Sequence, residues 1–141
     1  VDDEQGNLDL LEAYLSLEGY SNISCILDSR DVMKAYEELQ PDLILLDLHM
    51  PGLDGFDILR LLGERMPREE YLPILVLTAD VTDATKERAL AGGAKDFLTK
   101  PLNLSEAILR IRNLLHTRFL QTEIKRWTPI SNEITQASAK K

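Results

Sequence analysis

The sequence has few of the residues from which disulfides and imidazole metal sites are built. Its 141 residues include one cysteine and two histidines. A single cysteine cannot form an internal disulfide, and Cys25 lies in an apolar stretch, where we expect a small buried side chain. His49 and His116 are far apart in the sequence, so no cluster of imidazoles is present to bind zinc.

Long apolar segments are also absent. No run approaches the roughly 20 apolar residues that span a bilayer, and no segment resembles a signal peptide, which suits a cytoplasmic protein. The formal net charge of -8 argues against direct binding of nucleic acid by the body of the chain. Neither a nucleic acid nor a membrane is therefore an expected partner.

The charge is unevenly distributed along the chain. Residues 1–102 contain 9 basic and 21 acidic side chains, whereas residues 103–141 contain 7 basic and 3 acidic ones. An acidic body therefore ends in a mildly basic tail. The tail is either a differently solvated surface or a contact for a partner or a following domain.

Short apolar runs alternate with helical patterns through the acidic body. The runs are typical of parallel strands buried on both faces, and they cover residues 23–27, 43–46, 74–77 and 96–99. Helical spacing of apolar residues begins at Leu8, Val32 and Phe56, and a further helix is predicted over 83–91. Gly19, Pro41, Gly63 and the pair Gly92–Gly93 punctuate these helices. This alternation predicts an α/β fold with a doubly wound parallel sheet.

The two ends of the chain differ from this pattern. Residues 2–4 are acidic and follow Val1 directly, as if they ended a first strand that is largely missing from the chain. We expect five strands in the flavodoxin-like order 2-1-3-4-5, a gap at the central first strand, and a natural protein that begins several residues earlier. From Asn103 a long amphipathic helix is predicted, with Pro129 at its end and a polar linker over 130–141. The expected division is a domain over 1–117 and a helical extension and linker over 118–141, leading to an absent output domain.

Polar side chains follow the predicted strands at their carboxyl ends. They are Asp2, Asp3, Asp47, Thr78 and Lys100. Ligands of doubly wound sheets bind at this edge, so we expect these five side chains to share one crevice. Three carboxylates repel each other unless a cation intervenes, and Mg²⁺ prefers such oxygen ligands. With a carboxylate nucleophile, a lysine and a hydroxyl, the crevice is equipped for phosphoryl transfer.

Four sequence strings at these positions resemble the signature of the CheY-like receiver domain of response regulators in two-component signalling. They are VDDE (1–4), LLDLHMPGLDGF (45–56), VLTA (76–79) and KDFLTKP (95–101). The resemblance extends from residue 1 to about residue 117. It implies a phosphorylation-dependent switch that receives its phosphoryl group from a histidine kinase or a phosphotransfer protein. Such a chain is not an enzyme beyond catalysing its own phosphoryl transfer and slow self-dephosphorylation.

The resemblance also implies a role for each matching residue. Asp47 is the expected phosphoacceptor, and Thr78 and Lys100 are expected to bind the phosphoryl oxygens. Asp3 is expected to bind Mg²⁺, with Asp2 helping directly or through water. The expected ligands further include Asp47 and the backbone carbonyl of His49, whose exposed ring is a candidate to tune hydrolysis. Thr78 and Phe97 take the switch positions, and the peptide bond between Lys100 and Pro101 is expected to be cis.

Two other functions compete with the switch. A hydrolase that forms an aspartyl phosphate usually has a second aspartate two residues after the nucleophile, and this position is occupied by His49. The second alternative is a receiver-like interaction module that works without phosphorylation. Such modules have usually lost the acidic residues or the lysine of the site, and this sequence keeps them.

The long helix suggests a homodimer. Its apolar stripe consists of Leu104, Ile108, Ile111 and Leu115, part of which must pack on the sheet. The basic residues Arg110, Arg112 and Arg118 could pair with acidic groups of a second copy. Phe119 and Trp127 lie beyond the body of the domain and are the better candidates for the dimer contact.

Overall fold

Three parallel strands form the sheet of this chain. A computed structural model describes the backbone of residues 1–139 and the side chains of residues 1–124. The strands are β1 (Ile44–Asp47), β2 (Ile74–Thr78) and β3 (Asp96–Thr99), in the order β1-β2-β3. The helices are α1 (Gln5–Leu17), α2 (Val32–Leu39), α3 (Gly55–Arg65), α4 (Asp83–Ala91) and α5 (Leu104–Ala139), with a 3₁₀ turn over Ser29–Asp31. From β1 onwards, the alternation of strands and helices is the one that the sequence predicts.

Helices cover both faces of the sheet, because successive strand residues point to opposite sides. On one face, Ile74 and Val76 of β2 belong to a core shared with α2, α3 and α4. On the other face, Leu75 and Leu77 pack with α1 and α5. All five residues of β2 are buried, which explains why its sequence is continuously apolar rather than alternating.

The predicted strand over 23–27 is wrong, since these residues form no strand. A strand needs a ladder of backbone hydrogen bonds with a neighbour, and among the described residues this segment makes one such bond, from the Asp2 amide to the Ile26 carbonyl at 3.1 Å. An open groove of about 650 Å³ lies between this segment and β1, and residues of the segment and of β1 line it. Cys25 is accordingly exposed rather than buried.

Val1 and Asp2 lie beside β1 at the end of this groove. The Asp47 amide donates to the Val1 carbonyl at 3.0 Å, and the amino group of Val1 donates to the Leu45 carbonyl at 2.7 Å. Val1 is therefore hydrogen-bonded alongside β1, next to the edge where the functional side chains lie.

The predicted end of the last helix is also wrong. Helix α5 continues through Pro129 to Ala139. A proline inside a helix removes one backbone hydrogen bond and crowds the preceding turn, but a long helix tolerates that local loss. Among the described residues, no helix has both the length and the apolar content of a bilayer span.

Candidate functional site

Three strand ends bring the predicted site residues together. Asp47 is the last residue of β1, Thr78 is the last residue of β2, and Lys100 directly follows β3. The strands are in parallel register, with Asp47 opposite Leu77 and Thr78 opposite Thr99. Because the carboxyl ends of parallel strands meet at one edge, the three residues lie at the same edge of the sheet, where the sequence places them.

Asp47 is buried, with 3% of its surface exposed, and both of its carboxylate oxygens have donors. One oxygen accepts from the His49 amide at 3.1 Å, and the other accepts from Lys100 Nζ at 3.0 Å. Lys100 Nζ also donates to Asp2 at 3.3 Å. The lysine therefore bridges the two buried carboxylates.

The acidic residues at the start of the chain complete a cluster. Ligand oxygens of Asp2, Asp3 and Asp47 all lie within 4.8 Å of one another. Asp2 is buried and accepts from the Glu4 amide at 2.9 Å and from Asn7 Nδ2 at 3.3 Å, whereas Asp3 is exposed. The buried carboxylates of Asp2 and Asp47 are therefore held by hydrogen bonds, whereas Asp3 lies on the solvent side of the cluster.

The charges in this cluster do not cancel. Three carboxylates face one ammonium group, so the cluster keeps an excess of negative charge that a divalent cation would neutralise. Oxygen ligands at this spacing suit a hard cation such as Mg²⁺. The residues present therefore fit a metal of this kind.

Lys100 is protonated at neutral pH. Partial burial by itself lowers the pKa of the ammonium group, but the hydrogen bond and charge of Asp47, together with those of Asp2, raise it above its ordinary value overall. The lysine thus provides a fixed positive charge at the floor of the crevice.

The close approach of α3 shapes the loop after Asp47. The amide of Gly55 donates to the Leu48 carbonyl at 2.9 Å. A Cβ atom on Gly55 would lie 2.5 Å from the Leu48 Cα atom, so a side chain at this position would displace the loop. Asp54 and Asp57 close the helix start with a reciprocal capping box. Together these contacts hold the loop that presents Asp47 and His49.

Thr78 is buried, and its hydroxyl points towards the following loop rather than towards Asp47. Thr78 Oγ1 accepts from the Asp80 amide at 3.0 Å and lies 3.4 Å from His49 Nε2. The Asp80 carboxylate in turn accepts from the Thr85 hydroxyl at 2.7 Å. Asp80 and Thr85 are not among the residues predicted from the sequence, although the Asp80-x-Thr82-x-x-Thr85 pattern before a helix is a capping signal.

Phe97, the predicted switch aromatic, is half-buried on β3. Its ring packs against the core shared with α3 and lies 4.9 Å from Lys86 Nζ of α4. The peptide bond between Lys100 and Pro101 is cis, as the resemblance implies.

Comparison with known proteins agrees with this geometry. The sequence matches the family profile of the response regulator receiver domain over residues 1–112. Among solved structures, NtrX from Brucella abortus is similar with a TM-score of 0.77 and 29% identity, over 88% of this chain and 28% of NtrX. The receiver domain of the Francisella response regulator 1452 matches with a TM-score of 0.75 and 25% identity, over 82% of this chain and 93% of that one.

A third similar structure is the signal receiver domain of a signal transduction histidine kinase from Syntrophus aciditrophicus. It has a TM-score of 0.74 and 28% identity, over 83% of this chain and 87% of that domain. These neighbours confirm the flavodoxin-like α/β fold, of which three strands are formed within the described residues. The chain belongs to the response regulator receiver domain family of two-component signalling.

Proposed function

We propose that this receiver domain is a phosphorylation switch that accepts a phosphoryl group on Asp47. The observation that supports this most directly is the position of the Asp47 carboxylate. It lies 3.0 Å from Lys100 Nζ and within 4.8 Å of the ligand oxygens of Asp2 and Asp3. A nucleophile, a fixed cation and a set of metal ligands therefore share one small volume.

The transfer is a displacement at phosphorus. A carboxylate oxygen of Asp47 attacks the phosphorus of a phosphohistidine, a P–O bond forms, the P–N bond breaks, and the imidazole leaves. The Lys100 ammonium then stabilises the charge on a phosphoryl oxygen. Hydrolysis ends the phosphorylated state: water attacks phosphorus, the P–O bond to Asp47 breaks, and inorganic phosphate leaves. In this proposal the chain catalyses its own loading and slow self-dephosphorylation and no other reaction.

The proposed cofactor is Mg²⁺, held by Asp2, Asp3, Asp47 and the backbone carbonyl of His49. When bound, it would neutralise the excess charge of the carboxylates and of the phosphoryl oxygens. Asp3 is the exposed member of the set, so it can bind a metal without first giving up a buried contact.

The proposed output begins at Thr78. In this proposal the Thr78 hydroxyl, at the end of β2, turns towards a phosphoryl oxygen on Asp47, and that turn opens space beside Phe97. The Phe97 ring is half-buried, so an inward movement would change the surface beside α4. Phosphorylation adds about two negative charges at the strand ends and shifts the population between two ring positions.

The proposed partners follow from the same chemistry. A sensor histidine kinase or a phosphotransfer protein donates the phosphoryl group. The matched part covers 28% of NtrX, which supports an output domain beyond this chain, and the exposed apolar residues of α5 support a homodimer. No direct contact with nucleic acid or membrane is proposed, and the proposed location is the cytoplasm.

Mass spectrometry tests the acceptor. We expect acetyl phosphate and Mg²⁺ to add one phosphoryl group to the wild type and none to the Asp47→Asn variant, because the amide is not a nucleophile. Asp9→Asn, a change at an exposed position of α1, is the matched control and should be loaded like the wild type.

Two outcomes would contradict the proposal. Undiminished loading of Asp47→Asn would mean that another residue is the acceptor. A wild type that takes neither the phosphoryl group nor beryllofluoride would favour the alternative of an interaction module that works without phosphorylation.

A further inference from the structure

The hydroxyl of Thr78 is linked to helix α4 through a single residue. Thr78 Oγ1 accepts from the Asp80 amide at 3.0 Å and lies 3.4 Å from the Asp80 carbonyl oxygen. The side chain of Asp80 turns the other way, towards the first turn of α4. Any displacement of the Thr78 hydroxyl therefore either breaks the bond from the Asp80 amide or moves Asp80 with it.

Two hydrogen bonds fasten the Asp80 carboxylate to the start of α4. One oxygen accepts from the Thr82 amide at 2.9 Å, and the other accepts from the Thr85 hydroxyl at 2.7 Å. The bond from Thr85, followed by those from Thr82, lowers the pKa of Asp80 to about 2. The carboxylate is therefore charged at neutral pH, and bonds to a charged acceptor are the stronger kind. The Thr85 hydroxyl is therefore tied to Asp80 by a strong hydrogen bond.

Helix α4 is lightly attached to the rest of the domain. Of its nine residues, Ala89 alone is buried. Its other contacts include two cation–π pairs, with Lys86 Nζ 4.9 Å from the Phe97 ring and the Arg88 guanidinium 3.9 Å from the Phe56 ring. An element with so little buried apolar surface is easily displaced, and one of its contacts is the proposed switch ring itself.

We propose that Asp80 and Thr85 are positioning residues that couple the Thr78 hydroxyl to α4. When Thr78 turns towards a phosphoryl oxygen on Asp47, the main chain of Asp80 is drawn along, and the bond to Thr85 pulls the first turn of α4. Lys86 lies one residue after Thr85, so its contact with Phe97 changes in the same step. This inference rests on the proposed function, because it assumes that an anion is bound at Asp47.

The Thr85→Val variant tests the link, since valine has the shape of threonine without its hydroxyl. Amide hydrogen exchange over α4 is measured with and without Mg²⁺ and beryllofluoride, and beryllofluoride affinity is measured in parallel. We expect the wild type to show an exchange change over α4, and Thr85→Val to lose more than half of it. The variant should bind beryllofluoride about fivefold more tightly, because one hydrogen bond no longer opposes the movement of Thr78. Thr122→Val, on the exposed surface of α5, is the matched control and should behave as the wild type.

A conservative variant and a double variant distinguish loss of the Asp80–Thr85 link from general loss of α4 structure. Thr85→Ser restores the hydroxyl and should restore the response; a defect of Thr85→Val that serine does not rescue would mean loss of α4 structure and would overturn the inference. Thr85→Val removes one of the two hydrogen bonds that Asp80→Ala removes, so the double variant should lose no more than Asp80→Ala alone. Additive losses would also overturn the inference.

Beryllofluoride binding by the wild type separates a failure of this inference from a failure of the proposed function. If the wild type does not bind beryllofluoride, the proposed function fails. If the wild type binds it and α4 responds equally in Thr85→Val, the switch stands and the coupling through Asp80 and Thr85 is wrong.

Discussion

The carboxylates of Asp2, Asp3 and Asp47 differ in burial and in their hydrogen-bond donors. Asp2 and Asp47 are buried and share Lys100 as a donor, at 3.3 Å and 3.0 Å. Asp3 is exposed. A metal that binds here therefore meets two fixed carboxylates and one that is free to adjust. The His49 ring lies apart from this set, with Nε2 3.4 Å from Thr78 Oγ1.

This difference gives a prediction for metal binding. Asp3→Ala should weaken Mg²⁺ binding about tenfold or more, because it removes a ligand carboxylate. His49→Ala should change the affinity far less, since the proposed ligand from this residue is its backbone carbonyl. Calorimetric titration of both variants with Mg²⁺ measures the two losses. Equal losses would show that the imidazole is itself a ligand.

At the residue scale, much of the site could be predicted from the sequence. Asp47 and Thr78 end their strands and Lys100 directly follows one, and parallel register brings strand ends together whatever the surrounding packing. Asp80 and Thr85 could not be assigned a link to Thr78 in the same way. Their hydrogen bonds depend on the path of one loop, and a capping pattern in the sequence shows where a helix starts but not what the capping residue also contacts.

At the scale of elements, α5 packs on the body through buried apolar residues, and its arginines add ion pairs. Arg110 pairs with Asp96 and Glu106, and Arg112 pairs with Glu18. In this structure these arginines are paired within the chain, and their pairing with a second copy stays a prediction. Arg118 makes the most contacts of the three, and it lies where the helix leaves the sheet.

Arg118 connects the helix to the loops before β1 and β2. Its guanidinium donates to the Tyr71 carbonyl at 2.7 Å, to Glu70 at 3.4 Å and to Asp42 at 3.3 Å. The side chain is 15% exposed, compared with 57% for Arg112. Its hydrogen bonds are thus partly shielded from water, and their loss leaves a backbone carbonyl without this donor.

Arg118→Ala should lower the free energy of unfolding by ~1–3 kcal/mol, the usual cost of leaving a partly buried polar group unpaired. Arg118→Lys should recover part of this loss, because one ammonium cannot reach three acceptors as a planar guanidinium does. The matched control is Arg112→Ala, for which an exposed ion pair predicts a loss of ~1 kcal/mol or less. Urea denaturation of the three variants measures the differences, and equal losses for Arg118→Ala and Arg112→Ala would refute the anchoring role.

Two elements could not be predicted correctly, for related reasons. The run at 23–27 has the composition of a strand, yet a strand forms through its neighbours, and here one backbone bond to Asp2 is made. The end of α5 was placed at Pro129 from local propensity, yet the helix continues to Ala139. In contrast, α4 was predicted with its observed bounds, because its start and its end both have local signals in Thr82 and Gly92–Gly93.

At the scale of the whole molecule, apolar side chains remain exposed where α5 leaves the body. The stripe residues Ile108 and Ile111 are buried against the sheet, so they cannot also form a dimer contact. Phe119 and Leu120 are 55% and 53% exposed. Trp127, the other predicted contact, lies outside the residues whose side chains the structure describes.

These positions define the predicted homodimer. Two copies of an extended helix can bury such residues against each other, as in a short coiled coil, and the burial of each large apolar side chain contributes ~1.5–3 kcal/mol. We expect the wild type to dimerise in the micromolar range, and more tightly with Mg²⁺ and beryllofluoride. The double variant Phe119→Ser/Leu120→Ser should be monomeric at the same concentrations, because serine removes the apolar surface without changing the body of the domain.

Sedimentation velocity with and without beryllofluoride tests this prediction. The matched control is Leu10→Ser, which alters a leucine of α1 that is 56% exposed and lies on a different helix. If Leu10→Ser dissociates the dimer as well as the double variant does, general loss of surface apolarity rather than the α5 contact is responsible. If the wild type stays monomeric at high micromolar concentration in both conditions, the dimer prediction is wrong.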